Sequence, residues 1–292
     1  MPECSACILS SLEILIPLLT EDAEERMDLF SYSYKELAEG FEKKIEPLIL
    51  SIDLYQKLYA RGKNPDPYSG IKKRSRQAAE RSLPAIEKVV DSFTGFDRLR
   101  ASLAASIAGN LIDYNTAYHK PDLEVLVDIF HSIQSQGFSP DDSEPLWKRL
   151  NSRKGHIVFL ADNAGETHFD IPLLRLFKML GWRTTYVVKG RAMINDATRE
   201  DIAGSDIENL AEVADTGGWA HGVPRKWVSP EFISLVKSAD LVISKGQANV
   251  ESFPDFQKEF HIETYYVIRA KCPHIAAVLG TAVGDNVVLR RQ

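Results

Sequence analysis

The sequence predicts an α/β protein with an all-helical N-terminal region, and a change of hydrophobic period near residue 150 is what predicts it. Before that point apolar residues recur at helical spacing; after it, short apolar runs alternate with helical stretches. The clearest unit is HIVFLADNAGETHFD, His156 to Asp170. Its apolar residues run from Ile157 to Ala161 and stop at Asp162, Asn163, Gly165 and Glu166, and the helical IPLLRLFKMLG follows at once. A run of this kind is a buried parallel strand feeding a βα turn.

In the N-terminal half, Cys7 to Leu19 and Glu21 to Ala38 carry the helical pattern. Glu42 to Leu58 continues it, with Pro47 marking a first turn or a break. RGKNPDPYSG, Arg61 to Gly70, is a loop by its prolines and glycines. Helices resume over Lys72 to Val90, despite Pro84, and over Asp97 to Ile112, whose small residues suit close packing. A last helix covers Leu123 to Ser135, with Asp122 as its N-cap.

In the second half, strands are expected at His156 to Ala161, Thr184 to Val188, Asp240 to Ser244, Thr264 to Arg269 and Asn286 to Arg290. Helices separate most of them, at Ile171 to Leu180, Pro230 to Ser238 and His274 to Leu279. Such alternation builds right-handed βαβ units, a mostly parallel sheet and helices on both faces. The expected division is 1–150 for the helical domain and 151–292 for a doubly wound α/β domain.

Bulk properties narrow the function. The chain has 292 residues, 44% of them hydrophobic, and a formal net charge of -6, which offers no field to draw nucleic acid or an anionic membrane. No apolar run matches a bilayer span: the longest near the N-terminus, Ile8 to Leu19, is broken by Glu13 and Pro17. The acidic MPEC opening lacks the positive region of a signal peptide, and three cysteines cannot all pair internally. The expectation is a cytoplasmic protein with neither nucleic-acid nor membrane partners.

Polar residues gather just after the strands, where open α/β sheets bind ligands. DNAGE follows the first. VKGRAMINDATRED ends the second and carries Lys189, Asn195 and Asp196. ISKGQANVES ends the third with Lys245, Gly246, Asn249 and Glu251, and Lys271 and Cys272 follow the fourth. Singly, Asp162 and Asp196 read as helix N-caps and Lys245-Gly246 as a turn with a solvated lysine. Together, four such strand ends meet in one crevice. Oxygen donors from Asp162, Asn163 and Asp196 suit Mg2+ or Mn2+, and Lys245 beside Gly246 suits a phosphate. Such a metal polarises a phosphoryl oxygen and helps form a hydroxide nucleophile, which points to hydrolysis of a phosphomonoester.

The same residues resemble the metal-dependent damage-control phosphatases. The matching pieces are DNAGE at Asp162 to Glu166, NDAT at Asn195 to Thr198, SKGQANVE at Ser244 to Glu251, KCPHIAAVLG at Lys271 to Gly280 and AGNLIDY at Ala108 to Tyr114. The opening PECSACILSSLE looks like the CxxC start of the stand-alone, archaeal-type branch. The resemblance implies a helical domain packed on a Rossmann-like three-layer α/β/α domain, with the site between them. It implies a divalent cofactor (Mg2+, Mn2+, Co2+ or Ni2+) on Asp162, Asn163 and Asp196, which are then both metal ligands and catalytic residues. It implies phosphate or substrate binding by Lys245, with Asn110 and Asp113 facing the crevice from the helical side, and Glu166 and Asn249 as further candidates. The substrates implied are small phosphorylated metabolites, among them sugar phosphates and damaged or overflow metabolites.

Two other functions compete. A non-catalytic phosphometabolite-binding module would use the same residues without turnover. A protein carboxyl methyltransferase, described for some relatives, ranks lower because no glycine-rich turn is present to hold a nucleoside cofactor. Cys4, Cys7 and Cys272 could hold a soft metal if the N-terminus folds back on the crevice; reduced structural thiols are the favoured reading.

Overall fold

The computed structural model describes residues 3–62, 64–109 and 123–292. Seven helices come first: α1 (Cys4–Leu19), α2 (Ala23–Glu42), α3 (Pro47–Arg61), α4 (Ser69–Asp91), α5 (Gly95–Gly109), α6 (Leu123–Gln136) and α7 (Ser143–Ser152). Local chemistry sets several starts. The Asp22 carboxylate accepts the Glu25 N–H at 2.8 Å to cap α2, and Pro47 opens α3, where its missing N–H has no partner to lose. Pro84 lies inside α4, which continues through it.

The second half runs β1 (His156–Leu160), a 3-10 turn (Glu166–Asp170), α8 (Ile171–Met179), β2 (Arg183–Val188), α9 (Arg199–Ile202), α10 (Ile207–Leu210) and β3 (Glu212–Asp215). It continues with α11 (Pro230–Lys237), β4 (Leu241–Ser244), α12 (Gln247–Ser252), α13 (Pro254–Phe260), β5 (Thr264–Arg269), α14 (Pro273–Leu279) and β6 (Asn286–Arg291). The sheet order is β3-β2-β1-β4-β5-β6, parallel throughout except β6, which runs antiparallel to β5. After β1 the chain builds outward to β3, then crosses to β4 on the other side. The crevice of a doubly wound sheet opens at that reversal, between the ends of β1 and β4.

Alternate strand residues feed two cores. Ile157, Phe159, Tyr186, Ile243, Tyr265 and Val267 pack with helices α4 to α8; Val158, Leu160, Val187, Val242, Tyr266 and Ile268 pack with α11 to α14. The result is a three-layer α/β/α arrangement in which α4 to α7, from the helical half, cover one sheet face together with α8. Residue 150 therefore marks a change of secondary structure and not an edge of the core. Helices α1 to α3 form a third cluster, which reaches the second half through Met193, Ile194 and Trp219. Among the described residues no helix is long and apolar enough to cross a membrane.

The small residues of α5 serve the approach expected of them. Ala101, Ala104, Ala105, Ala108 and Gly109 are all buried. A Cβ on Gly109 would stand 3.2 Å from the Glu166 Cα, and one on Gly165 would stand 2.8 Å from the Ser75 Cβ. Helices α4 and α5 thus press directly on the loop that follows β1.

Candidate active site

Two loops are stitched together at the strand ends. The Ala197 N–H donates to the Asp162 carbonyl at 2.8 Å, and the Ala164 N–H donates to the Asn195 carbonyl at 2.9 Å. Asn163 pairs with Asp196 as an isolated antiparallel bridge. Such partners have Cα atoms roughly 5 Å apart, so the structure brings Asp162, Asn163 and Asp196 together. The capping alternatives for the two acids do not apply. No side chain caps the 3-10 turn, and α9 is capped by Thr198 in a reciprocal box with Asp201.

Gly246 makes room for the Asp162 carboxylate. It holds a φ of 85°, and a Cβ there would fall 2.3 Å from the Asp162 Cγ. A side chain is excluded by conformation and by contact alike. The Asn163 Nδ2 donates to Glu166 Oε1 at 2.6 Å and to Asp162 Oδ2 at 3.2 Å. With carboxylates on that side the carboxamide must present its NH2 to them, which leaves its Oδ1 facing elsewhere as an acceptor.

Burial pushes the Asp162 carboxyl well above the usual carboxylate pKa range. Glu166 and Asp196 push it the same way, against Lys189 and Lys271. Crowded carboxylates and an oriented amide oxygen fit a hard divalent cation. Such a cation is often bound through one or two carboxylates and completed by water or substrate phosphate. Among the described residues no group of three or more His, Cys, Asp or Glu side chains is arranged to hold a metal ion. A cation here would need the Asn163 carboxamide and oxygen from outside the chain.

Lys245 does not stand where a phosphate ligand was expected. Its side chain is 0% exposed, and its ammonium donates to the Ser106 carbonyl at 2.9 Å, Glu166 Oε2 at 3.2 Å and Asp170 Oδ1 at 3.2 Å. Three donors meet three acceptors. Burial works against its charge, but Asp170 and Glu166 outweigh it and hold the pKa above the ordinary lysine value. Asp170 also accepts from the Ser106 hydroxyl at 2.6 Å and from Tyr186 Oη at 2.7 Å. Glu166, another residue expected to meet substrate, is thus held between Lys245 and Asn163. Asn249 is a connector as well: its Nδ2 donates to the carbonyls of Lys245 at 2.6 Å and Ala161 at 3.2 Å. Asn110 and Asp113 lie outside the described residues. Gly109, just before them, lines a narrow cleft together with Lys72, Asn163, Glu166 and Asn195.

A cavity of about 710 Å3 opens beside the carboxylates and not over them. Its wall includes Tyr59 and Asn64 from the helical half, Lys189 and Arg191 after β2, and Trp219 after β3. Tyr59 and Trp219 meet edge to face at 5.9 Å, and the Arg191 guanidinium lies 5.6 Å from the Trp219 ring centroid. Neither Asp162 nor Asp196 lies on this wall. Lys189 is the link: its Nζ is 3.3 Å from Asn249 Oδ1 and 3.8 Å from Asp196 Oδ2.

Comparison with known proteins identifies the family. Residues 1–287 match the model of the damage-control phosphatase ARMT1-like domain. The chain belongs to that family. A damage-control phosphatase of Archaeoglobus fulgidus is 30% identical over 98% of this chain and 97% of its own length. A damage-control phosphatase of Pyrococcus horikoshii is 29% identical over 99% of this chain and 97% of its own. The crystal structure of a family member from P. horikoshii superposes with a TM-score of 0.88, at 27% identity, covering 100% of this chain and 99% of that one. A phosphatase role follows at the level of the family.

Within that family frame, the sequence reading passed over two groups. Lys189 was named among the strand-end residues without a role. Asp170, which anchors Lys245, was read as the end of a motif; an acid just before a buried apolar helix was the available signal. The cysteines also resolve. Cys4 and Cys7 sit in the first turn of α1, and the Cys272 sulfur accepts the Ile275 N–H at 3.5 Å at the start of α14. All three are free thiols. Burial, and then Cys272 and Cys4, push the Cys7 thiol pKa up. These thiols are not among any metal-holding group of the described residues.

Proposed function

We propose that this protein is a divalent-metal-dependent phosphatase that hydrolyses phosphate monoesters of small metabolites at the joined ends of β1 and β2. The observation that carries the reading is the stitching of the two loops, which sets two carboxylates and an oriented carboxamide oxygen side by side. When bound, a divalent cation supplies charge neutralisation of the phosphoryl group and acidification of water at neutral pH. Asp162, Asn163 and Asp196 would be its ligands.

The chain's own residues do the positioning. Gly246 lets the Asp162 carboxylate lie against the backbone of the β4 loop. Glu166 fixes the Asn163 amide, and Lys245 balances the charge of Glu166 and Asp170, so the ligands are oriented before substrate arrives. The cavity bounded by Tyr59, Trp219 and Arg191 is of the size usual for small-molecule sites and would receive the leaving group.

The test is phosphate release from p-nitrophenyl phosphate and from a panel of phosphorylated metabolites, with Mg2+, Mn2+, Co2+ or Ni2+ added in turn. The reading expects metal-dependent turnover that chelation abolishes. Equal turnover after exhaustive chelation would remove the metal from it, and no turnover with any pairing would leave a binding module.

A further inference from the structure

Lys189 and Lys245 both follow parallel strands of one crevice, and they differ in what their ammonium groups have left to offer. Lys245 has three donors and three short-range acceptors, two of them buried carboxylates. Turning it toward a phosphate would strip both acids of their counter-ion, a costly exchange in a buried setting. Lys189 has one hydrogen bond, to Asn249 at 3.3 Å, and one looser ion pair, to Asp196 at 3.8 Å, among the described residues. Lys189 is itself a lining residue of the 710 Å3 cavity and pairs with Asp196, its side chain buried at 2% exposed.

Two neighbouring groups, Arg199 and Thr198, are already committed. The Arg199 Nε is bound to Asp215 at 2.5 Å, and the Thr198 N–H and hydroxyl both go to Asp201. Arg191 lies against Trp219, one residue beyond Gly190. Gly190 itself is clasped so closely that a Cβ would stand 2.7 Å from the Gly217 carbonyl carbon, which fixes the backbone that carries Lys189.

We propose that Lys189, and not Lys245, is the cation that meets the substrate's phosphoryl group, and that Lys245 is a positioning residue acting through Glu166 on Asn163. This rests on the phosphatase reading above. It requires a phosphate to lie between the Asp162–Asp196 pair and the cavity, with the ester's organic part directed into the cavity. A compact ammonium of modest coordination can exchange Asn249 for a phosphoryl oxygen without leaving a buried acid unpaired.

The experiment is calorimetric titration of inorganic phosphate into the full chain with saturating Mn2+, run on the wild type and on Lys189→Met, Lys189→Arg, Lys245→Met and Lys271→Met. KM and kcat for p-nitrophenyl phosphate are measured alongside. Loss of a charged hydrogen bond predicts phosphate affinity weaker by roughly 10-fold or more in Lys189→Met, with KM rising in step and Arg restoring most of it. Lys245→Met should melt earlier and lower kcat through the misplaced Asn163, with phosphate affinity falling less than in Lys189→Met. Lys189→Gln repeats the test if the Met variant does not fold. Undiminished phosphate binding by Lys189→Met overturns the assignment, as does a loss confined to Lys245→Met or Lys271→Met, or a wild type that binds no phosphate. A wild type that binds phosphate yet cleaves no ester refutes the hydrolytic reading, while loss of binding in Lys189→Met would still support this one.

Discussion

The β1–β4 side of the crevice and the β2–β3 side are built in opposite ways. On the first, Lys245, Glu166, Asp170, Ser106, Tyr186 and Asn249 satisfy one another with almost no exposure. On the second, a cavity of about 710 Å3 is walled by aromatic rings and by Lys189 and Arg191, whose polar groups are less completely used. The closed side holds geometry; the open side is free to exchange partners. Catalytic sites need both, because a ligand set is accurate only when its supports are locked. A substrate, in turn, enters only where contacts can be traded.

Substitutions can break that contrast. The largest effect is expected at the seam between the two sides. Asp162→Ala should lower phosphate release on the order of 10^3-fold, the scale of losing a main electrostatic contact to the reacting group, with the circular dichroism spectrum unchanged. Unaltered turnover would take Asp162 out of the site.

Next comes the closed side. Lys245→Met leaves two buried acids without their counter-ion, so the urea midpoint should report a loss of about 3–5 kcal/mol. A loss of less than about 1 kcal/mol, the scale of an exposed pair, would mean that the network is not structural.

A smaller effect concerns His221, buried against Tyr55 and Ser51. Burial, and then Lys189, hold His221 near a pKa of about 3, with its Nε2 3.0 Å from the Ser51 hydroxyl. Its folded pKa lies below the unfolded value of 6.5. The unfolded chain therefore binds the extra proton, and stability is lost as pH falls below the unfolded value toward the folded one. This residue alone should remove about 2 kcal/mol between pH 7 and pH 5. His221→Gln should flatten that part of the stability curve, and an unchanged slope would assign the acid sensitivity to other groups.

The smallest effect belongs to the cavity rim. Arg191→Met should change stability by less than about 0.5 kcal/mol, as exposed substitutions do, and should raise KM without altering kcat. A fall in kcat with KM unchanged would place Arg191 at the reacting group.

The closed side was the more legible of the two in sequence. DNAGE and SKGQANVE each end an apolar run, and five of the six strands follow from period and length. β3 is absent from the expected strands because EVAD is a four-residue edge strand with two apolar residues. α7 was missed because two leucines, Leu146 and Leu150, are the apolar residues it buries. The roles of the two lysines could not be read from order along the chain. Lys245 stands in the more suggestive motif, but Asp170, Ser106 and Glu166 claim it from elements that only folding brings near. Glu166 and Asn249 were expected to meet substrate, and the contacts described for them run to Lys245, Asn163, Lys189 and backbone carbonyls.

The account stands on one cation being shared by the loops after β1 and β2. Calorimetric titration of Mn2+ into the wild type, Asp162→Asn and Asp196→Asn tests this without depending on any substrate. One site per chain is expected in the wild type, lost or strongly weakened in each variant, because each removes one carboxylate of a common ligand set. Undiminished Mn2+ binding in either variant would contradict it.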